Sequence, residues 1–256
     1  MSQSTQSVKQ TLLFDLDDTL IHCNKYFDIV IAEYLKLMSR WFVAYRVMQQ
    51  DILSIQSRFD LEGVSANGFV STHFPQSLVK CYEFLCEQTG RAYSQAEYEI
   101  LWKLGLSVYE MEVEPYPGML ETLNRLRDEG HDLFLYTGGE TVIQQRKIEQ
   151  MKLSVYFDDR IFIRQHKTTE ALSSILHQLE TDPLQTWMIG NSLRTDVIPA
   201  LTNGINSVYL KQNNEWAYNL VDVTVEPKGA FYTIDRLTSV PDVIQQWCTD
   251  RDVRVF

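Results

Sequence analysis

Short apolar runs alternate with stretches of helical period along much of this chain. Residues 11–14 (TLLF) form a run that stops at a cluster of aspartates, as a buried strand of a parallel sheet does when it ends at a functional loop. Similar runs recur at 132–136 (DLFLY), 161–163 (IFI), 186–189 (TWMI) and 207–210 (SVYL). Between them lie helix-patterned segments at about 118–129, 140–152, 168–180 and 194–203, with Gly130 and Gly204 suited to end two of the helices. The alternation predicts a parallel sheet with crossover helices. A tail with FYTI at 231–234 and a helix over about 241–248 completes it.

Between residues 21 and 112 the period changes. Tyr26, Val30, Ala32, Tyr34, Leu35, Leu37 and Met38, and later Leu78, Tyr82, Leu85 and Cys86, fall at helical spacing. The expected layout is an α/β domain of residues 1–20 plus 113–256, a doubly wound parallel sheet, interrupted by an all-helical insertion at 21–112. Pro115, Pro117 and Gly118 stiffen the return into the sheet domain and mark its border.

Composition narrows the classes. A chain of 256 residues with 45% hydrophobic residues buries a substantial core. The net charge of -11 argues against non-specific nucleic-acid binding, which needs clustered Lys and Arg. It also suggests a cation as mediator toward any anionic substrate. Cys23, Cys81, Cys86 and Cys248 are scattered without metal-site spacing and read as reduced thiols. The polar stretch from Met1 to Gln10 lacks the apolar segment of a secretory signal, and no apolar run reaches membrane-spanning length. The expectation is a soluble cytoplasmic protein with no membrane partner.

Candidate chemistry clusters where strands end. Asp15 and Asp17 follow the first strand two residues apart, so both face one side of an extended backbone. Two carboxylates so close are favourable when a divalent cation joins them or one takes a proton; taken alone, such a cluster reads equally well as a cap or a solvated turn. Thr137, Gly138 and Gly139 follow the second run and leave backbone N–H groups free to face an anion, although such a turn is more often plain punctuation. Lys167 lies between a strand and a helix, within reach of an anion at the strand ends, whereas its competitor Lys147 falls inside a predicted helix. Gly190, Asn191, Ser192, Leu193, Arg194, Thr195 and Asp196 follow the fourth run, with Asp196 in a helical first turn where the dipole favours a carboxylate even without a metal. Ligands of open parallel sheets bind outside the carboxyl ends of the strands, and there all four segments converge.

In this order the four segments resemble the four motifs of the haloacid dehalogenase (HAD) superfamily, with FDLDDTL at 14–20 the most specific of them. The resemblance implies a Rossmann-like core with a helical cap inserted between the first two motifs. It implies a Mg2+-dependent phosphohydrolase acting on a small phosphorylated metabolite through a phosphoaspartyl intermediate. Asp15 would be the nucleophile and Asp17 the general acid and base. Thr137, Gly138 and Lys167 would bind the phosphoryl group, and Mg2+ would be held by Asp15, the Asp17 backbone carbonyl and Asp196. The fourth motif commonly carries Asp directly after its glycine; here Asn191 stands there as a weaker candidate ligand.

His22, Asn24, Tyr26 and His73 are candidates for facing a leaving group, and Trp216 for edging the site, although ordinary packing is the commoner role for each. Four rivals stand beside this reading. A 2-haloacid dehalogenase expels halide and has no use for the proton of Asp17. A phosphomutase or a phosphonate hydrolase would need further cap groups, for the latter a Schiff-base lysine, and Lys25, Lys36, Lys80 and Lys103 show no distinguishing context. An inactive binding or regulatory protein of the same fold finds support only in Asn191.

Overall fold

The computed structural model describes residues 8–252; apart from Val8, Lys9 and Gln10, the polar N-terminal stretch lies outside them. The elements run β1 (Thr11–Phe14), α1 (Asn24–Trp41), α2 (Gln49–Asn67), α3 (His73–Thr89), α4 (Gln95–Ser107), α5 (Met119–Asp128), β2 (Asp132–Gly138), α6 (Thr141–Gln150), α7 (Ser154–Phe157), β3 (Ile161–Arg164), α8 (Thr169–Leu179), β4 (Thr186–Gly190), α9 (Ile198–Thr202), β5 (Asn206–Leu210), β6 (Phe231–Ile234) and α10 (Val240–Asp252). They form two compact units. One holds residues up to His22, Val113–Gly138 and the chain from Gln144 onward; the other holds Cys23–Glu112 together with Gly139–Ile143.

The first unit is an α/β unit built on a six-stranded parallel sheet of order β3-β2-β1-β4-β5-β6. All residues of β1, β4 and β5 are buried, which is why these strands read as continuous apolar runs rather than alternating ones. Leu13, Phe134, Tyr136 and Met188 pack with Leu172 and Ile175 of α8 on one face. Each such fully buried side chain contributes about 1.5–3 kcal/mol relative to exposure. At the amino end of the sheet, the Trp187 indole N–H donates to Gln10 Oε1 at 3.0 Å, which satisfies its polar atom inside the core.

Two helices differ from the pattern-based expectation. The segment 140–152 is not one helix: α6 stops at Gln150, Lys152 takes a left-handed backbone (φ 53°), and α7 follows. A left-handed residue closes the helix by letting successive N–H groups turn back onto its last carbonyls, here Leu153 N–H onto Ile148. The expected helix at 194–203 opens as a wide π-type turn, Leu193–Val197, and narrows into α9 at Ile198. Val197 N–H reaches back five residues to Ser192 O, and Pro199, with no N–H of its own, sits in the first turn of α9.

The second unit is helical. In α1 the buried residues Tyr26, Val30, Tyr34 and Met38 recur every four positions, so the apolar stripe is narrower than the sequence suggested; Ala32 is exposed and Leu35 and Leu37 are half-buried. Leu78, Tyr82, Leu85 and Cys86 of α3 are all buried. The Tyr34 hydroxyl donates to Leu78 O at 3.2 Å and joins α1 to α3. Arg91 grips Glu97 with two bonds of 2.7 Å and donates to Trp41 O at 3.1 Å, a bidentate arrangement that fixes the start of α4 against the end of α1. The Glu140 carboxylate accepts from the Ser71 backbone N–H (2.8 Å) and hydroxyl (3.0 Å), which explains why Gly139–Ile143 groups with this unit. The four cysteines are free thiols. Among the described residues no helix is long and apolar enough to cross a membrane.

Candidate active site

Strand register brings the chemistry to one place. Phe14 pairs with Leu135 on one side and Ile189 on the other, so Asp15, Tyr136 and Gly190 lie level at the carboxyl ends of three neighbouring strands. Asp15 N–H still donates to Ile189 O at 2.9 Å, the last rung of the ladder. The chain then turns sharply. Leu20 and Ile21 N–H both reach back to Leu16 O at 2.9 and 3.0 Å, and Asp18 adopts a left-handed backbone (φ 55°), which aspartate tolerates better than most residues. The Gln212 amide holds the Asp18 carbonyl from outside at 2.8 Å.

Asp15 is buried and shares one cation with Asp196. The Lys167 ammonium donates to Asp15 Oδ1 at 2.6 Å and also to Asp196 Oδ1. Thr19 Oγ1 donates to the other Asp15 oxygen at 3.0 Å and lies 3.4 Å from Asn191 Oδ1. Asp196 Oδ2 accepts the Ser192 backbone N–H at 2.9 Å. Burial pushes the Asp15 carboxyl up, to about 7; Lys167 pulls it back, while Asp196 and Asp17 add to the rise. Burial works against the charge of Lys167, yet Asp15 and Asp196 hold its proton well above the ordinary lysine range. The face of Tyr136 lies 5.0 Å from the same ammonium.

Asp17 has separate partners. Lys147, ranked below Lys167 because it falls inside a predicted helix away from a strand end, is bonded to both Asp17 oxygens at 2.8 and 3.0 Å. Gln144, one turn earlier on α6, donates to Asp17 Oδ2 at 2.9 Å and to Thr137 Oγ1 at 2.6 Å. Thr137 is thus linked to Asp17, and Gly138 closes β2 beside it. These contacts form two sets, Asp15, Lys167, Asn191 and Asp196 in one and Asp17 and Thr137 in the other, and the two are close enough that the Asp17 charge acts on Asp15. Trp216 packs on Tyr218 (4.9 Å) instead, and His22 on Tyr116 (4.8 Å). Tyr26 and His73 are in the helical unit, where the Tyr26 hydroxyl and both His73 ring nitrogens lack a hydrogen-bond partner among the described residues.

Sequence reasoning missed Thr19, Gln144 and Ser192 as contact-makers. The signal for Thr19 lay in its spacing of four from Asp15, and for Gln144 in its spacing of three from Lys147, which puts both on one helix face. For Ser192 the signal lay in its residue type, since its Oγ caps the following turn by accepting the Thr195 N–H at 3.1 Å, while its backbone N–H serves Asp196.

Gly190 permits the close approach of Asp196. A Cβ at position 190 would run into the Asp196 carboxyl group and lie 2.8 Å from its Cβ. We expect Gly190→Ala to lower unfolding free energy in urea by about 1–3 kcal/mol, as overpacking does; an unchanged urea midpoint would mean that the Asp196 arm yields freely.

A model of the haloacid dehalogenase-like hydrolases matches residues 9–204, a span that includes every residue of this cluster. The chain belongs to that family. This HAD hydrolase is 26% identical over 144 residues to ribulose-1,5-bisphosphate 5-phosphatase of Halopiger xanaduensis, a match covering 54% of this chain and 60% of that protein. It is 22% identical over 249 residues to glyceraldehyde 3-phosphate phosphatase of Pyrococcus furiosus, covering 93% of each. Among solved structures, a haloacid dehalogenase-like family hydrolase from Xanthomonas campestris aligns with a TM-score of 0.75 at 23% identity, over 95% of this chain and 98% of the other. The magnesium-bound HAD hydrolase YfnB of Bacillus subtilis aligns at 0.60 and 19% identity, over 92% and 98%. The L-2-haloacid dehalogenase of Xanthobacter autotrophicus aligns at 0.59 and 14%, over 93% and 99%. At these identities the structural likenesses speak to the fold, which phosphatases and dehalogenases share.

Proposed function

We propose that this HAD hydrolase is a Mg2+-dependent phosphatase that cleaves a small phosphomonoester through a phosphoaspartyl intermediate on Asp15. The observation that carries this reading is the second carboxylate. Asp17 stands beside the Asp15–Lys167–Asp196 set with its own donors, Lys147 and Gln144. Expelling a halide needs no proton, whereas expelling an alkoxide does, so a separately held carboxylate next to the nucleophile favours phosphoryl chemistry over dehalogenation. The phosphatase relatives point the same way.

In the first half of the reaction an Asp15 oxygen attacks phosphorus, the bond to the leaving oxygen breaks, and Asp17 gives that oxygen its proton. In the second half water attacks phosphorus, Asp17 takes the water proton, and the electrons of the P–O bond return to Asp15. Lys167, the Thr137 hydroxyl and the Gly138 backbone N–H hold the phosphoryl oxygens. We assign the helical unit the part of the family's substrate-selecting cap.

The residues suit a magnesium ion. Two carboxylates, Asp15 and Asp196, lie within reach of one cation, and Asn191 Oδ1 is joined to Asp15 through Thr19. This is an all-oxygen donor set with few carboxylates, such as Mg2+ prefers. Asp15, the Asp17 backbone carbonyl, Asp196 and Asn191 would hold the ion, which supplies charge neutralisation for the transferring group.

The test is phosphate release from a panel of small phosphomonoesters with and without Mg2+. Metal-dependent release supports the reading, and silence across the panel sinks it. Mg2+ alone is also expected to raise the melting temperature. Asn191→Asp should shift that titration to lower Mg2+ concentration, by roughly tenfold for each ~1.4 kcal/mol gained; an unmoved titration would remove Asn191 from the ligand set.

A further inference from the structure

We infer that Lys147 and Gln144 are positioning residues for the water-activating half of the reaction, orienting the Asp17 carboxylate that receives the proton. The inference rests on the phosphatase reading above and extends it to two residues of α6.

The geometry is unusually complete for a lysine inside a helix. The Lys147 side chain is 11% exposed, and burying an ammonium is costly unless its charge is met. It is met by both oxygens of Asp17, at 2.8 and 3.0 Å. Gln144 lies three residues earlier on the same face, buried, and spans Asp17 Oδ2 (2.9 Å) and Thr137 Oγ1 (2.6 Å) with a single amide nitrogen. An unrestrained carboxylate rotates freely about its last torsion. Three contacts from two side chains on one rigid helix remove that freedom. The Asp17 side chain remains 26% exposed, so the carboxylate keeps an open edge for a water.

Lys147 also divides the positive charge of the cluster. Lys167 serves Asp15 and Asp196, while Lys147 serves Asp17. Neighbouring carboxylates left without donors would repel each other and drift apart. The step Asp17 serves is balanced: the water oxygen forms a bond to phosphorus, the phosphorus–Asp15 oxygen bond breaks, its electron pair returns to Asp15, and the water proton passes to Asp17. The Gln144 link to Thr137 ties the base to a residue that holds the phosphoryl group, so water, base and phosphorus are set in one frame.

The experiment uses p-nitrophenyl phosphate with Mg2+, because its leaving group departs without help from an acid and leaves water attack as the step that reports on Asp17. Steady-state kinetics and intact-mass detection of phosphorylated protein are measured for the unaltered chain, Lys147→Met, Lys147→Arg, Gln144→Ala and Asp15→Asn. Slowed water attack lowers kcat and KM together and leaves kcat/KM nearly constant. We expect this pattern in Lys147→Met, with kcat down about tenfold or more, phosphorylated protein accumulating, and Lys147→Arg restoring most of the rate. Gln144→Ala should follow the same pattern to a smaller degree, and it carries the test if Lys147→Met does not fold. Unaltered kcat in these variants, or a fall in kcat/KM with no phosphorylated protein, overturns the inference while an active parent and a dead Asp15→Asn leave the phosphatase reading standing. A parent that releases no phosphate from any ester overturns both.

Discussion

Asp15→Asn is expected to abolish phosphate release, by roughly 10⁴-fold or more, the scale of nucleophile removal in enzymes with a covalent intermediate, and at the same time to stabilise the metal-free protein at pH 8. The two effects share a cause. The Asp15 carboxyl is raised from 3.8 to about 7, first by burial and further by the Asp196 and Asp17 carboxylates, with Lys167 opposing. A group whose folded pKa lies above its unfolded one adds stability below the unfolded value and loses that contribution as pH rises through the folded one. Above pH 7 the parent therefore carries an ionised, buried Asp15 at a cost, and below about pH 4 it does not. An isosteric amide keeps the shape, accepts from Lys167 and removes the charge. Urea unfolding in chelator should show the variant ahead of the parent at pH 8, by an amount on the order of a few kcal/mol, with the difference shrinking toward pH 4. A variant less stable than the parent at pH 8 would mean that the Lys167 pairing outweighs burial at Asp15. Residual turnover near the parental rate would remove Asp15 as nucleophile.

Asp17→Asn is expected to lower turnover by roughly 10²- to 10⁴-fold, the range of general acid–base assistance. The loss should depend on the leaving group. An alkyl phosphate, whose departing oxygen must be protonated, should suffer in kcat/KM far more than p-nitrophenyl phosphate. The amide can still accept from Lys147 and Gln144, so the arrangement of α6 should persist. Equal losses for both esters would point to a purely structural role for Asp17, and near-normal turnover would exclude it from acid–base work altogether.

Much of the α/β unit is legible in the sequence. Its inner strands are buried on both faces and therefore written as short unbroken apolar runs, and the chemical residues follow those runs directly: Asp15 after β1, Thr137 and Gly138 at the end of β2, Asn191 and Asp196 after β4. Lys167 was legible by the same logic, from its place between β3 and α8. Local pattern failed where a boundary depends on backbone geometry. Nothing in residues 150–153 marks Lys152 as the left-handed residue that ends α6, and the wide turn before α9 arises from Ser192 accepting two successive N–H groups. Position along a helix was likewise a poor guide to Lys147. Its distance from a strand end in sequence says little, because α6 packs its inner face back toward the carboxyl end of β2, where Asp17 and Thr137 stand.

The sequence by itself determined where the inner strands end and which polar residues follow them, because hydrophobic period and strand-end position are local properties that survive in one dimension; the motifs at those ends resemble the HAD superfamily, and that resemblance supplied Asp15 as the nucleophile candidate. Only the tertiary structure decided how charge is shared. Lys167 reaches Asp15 across 152 residues and Lys147 reaches Asp17 across 130. Which ammonium serves which carboxylate follows from where the crossover helices set their side chains, and burial then makes those pairings obligatory, since a charge taken out of water must find its partner inside the protein.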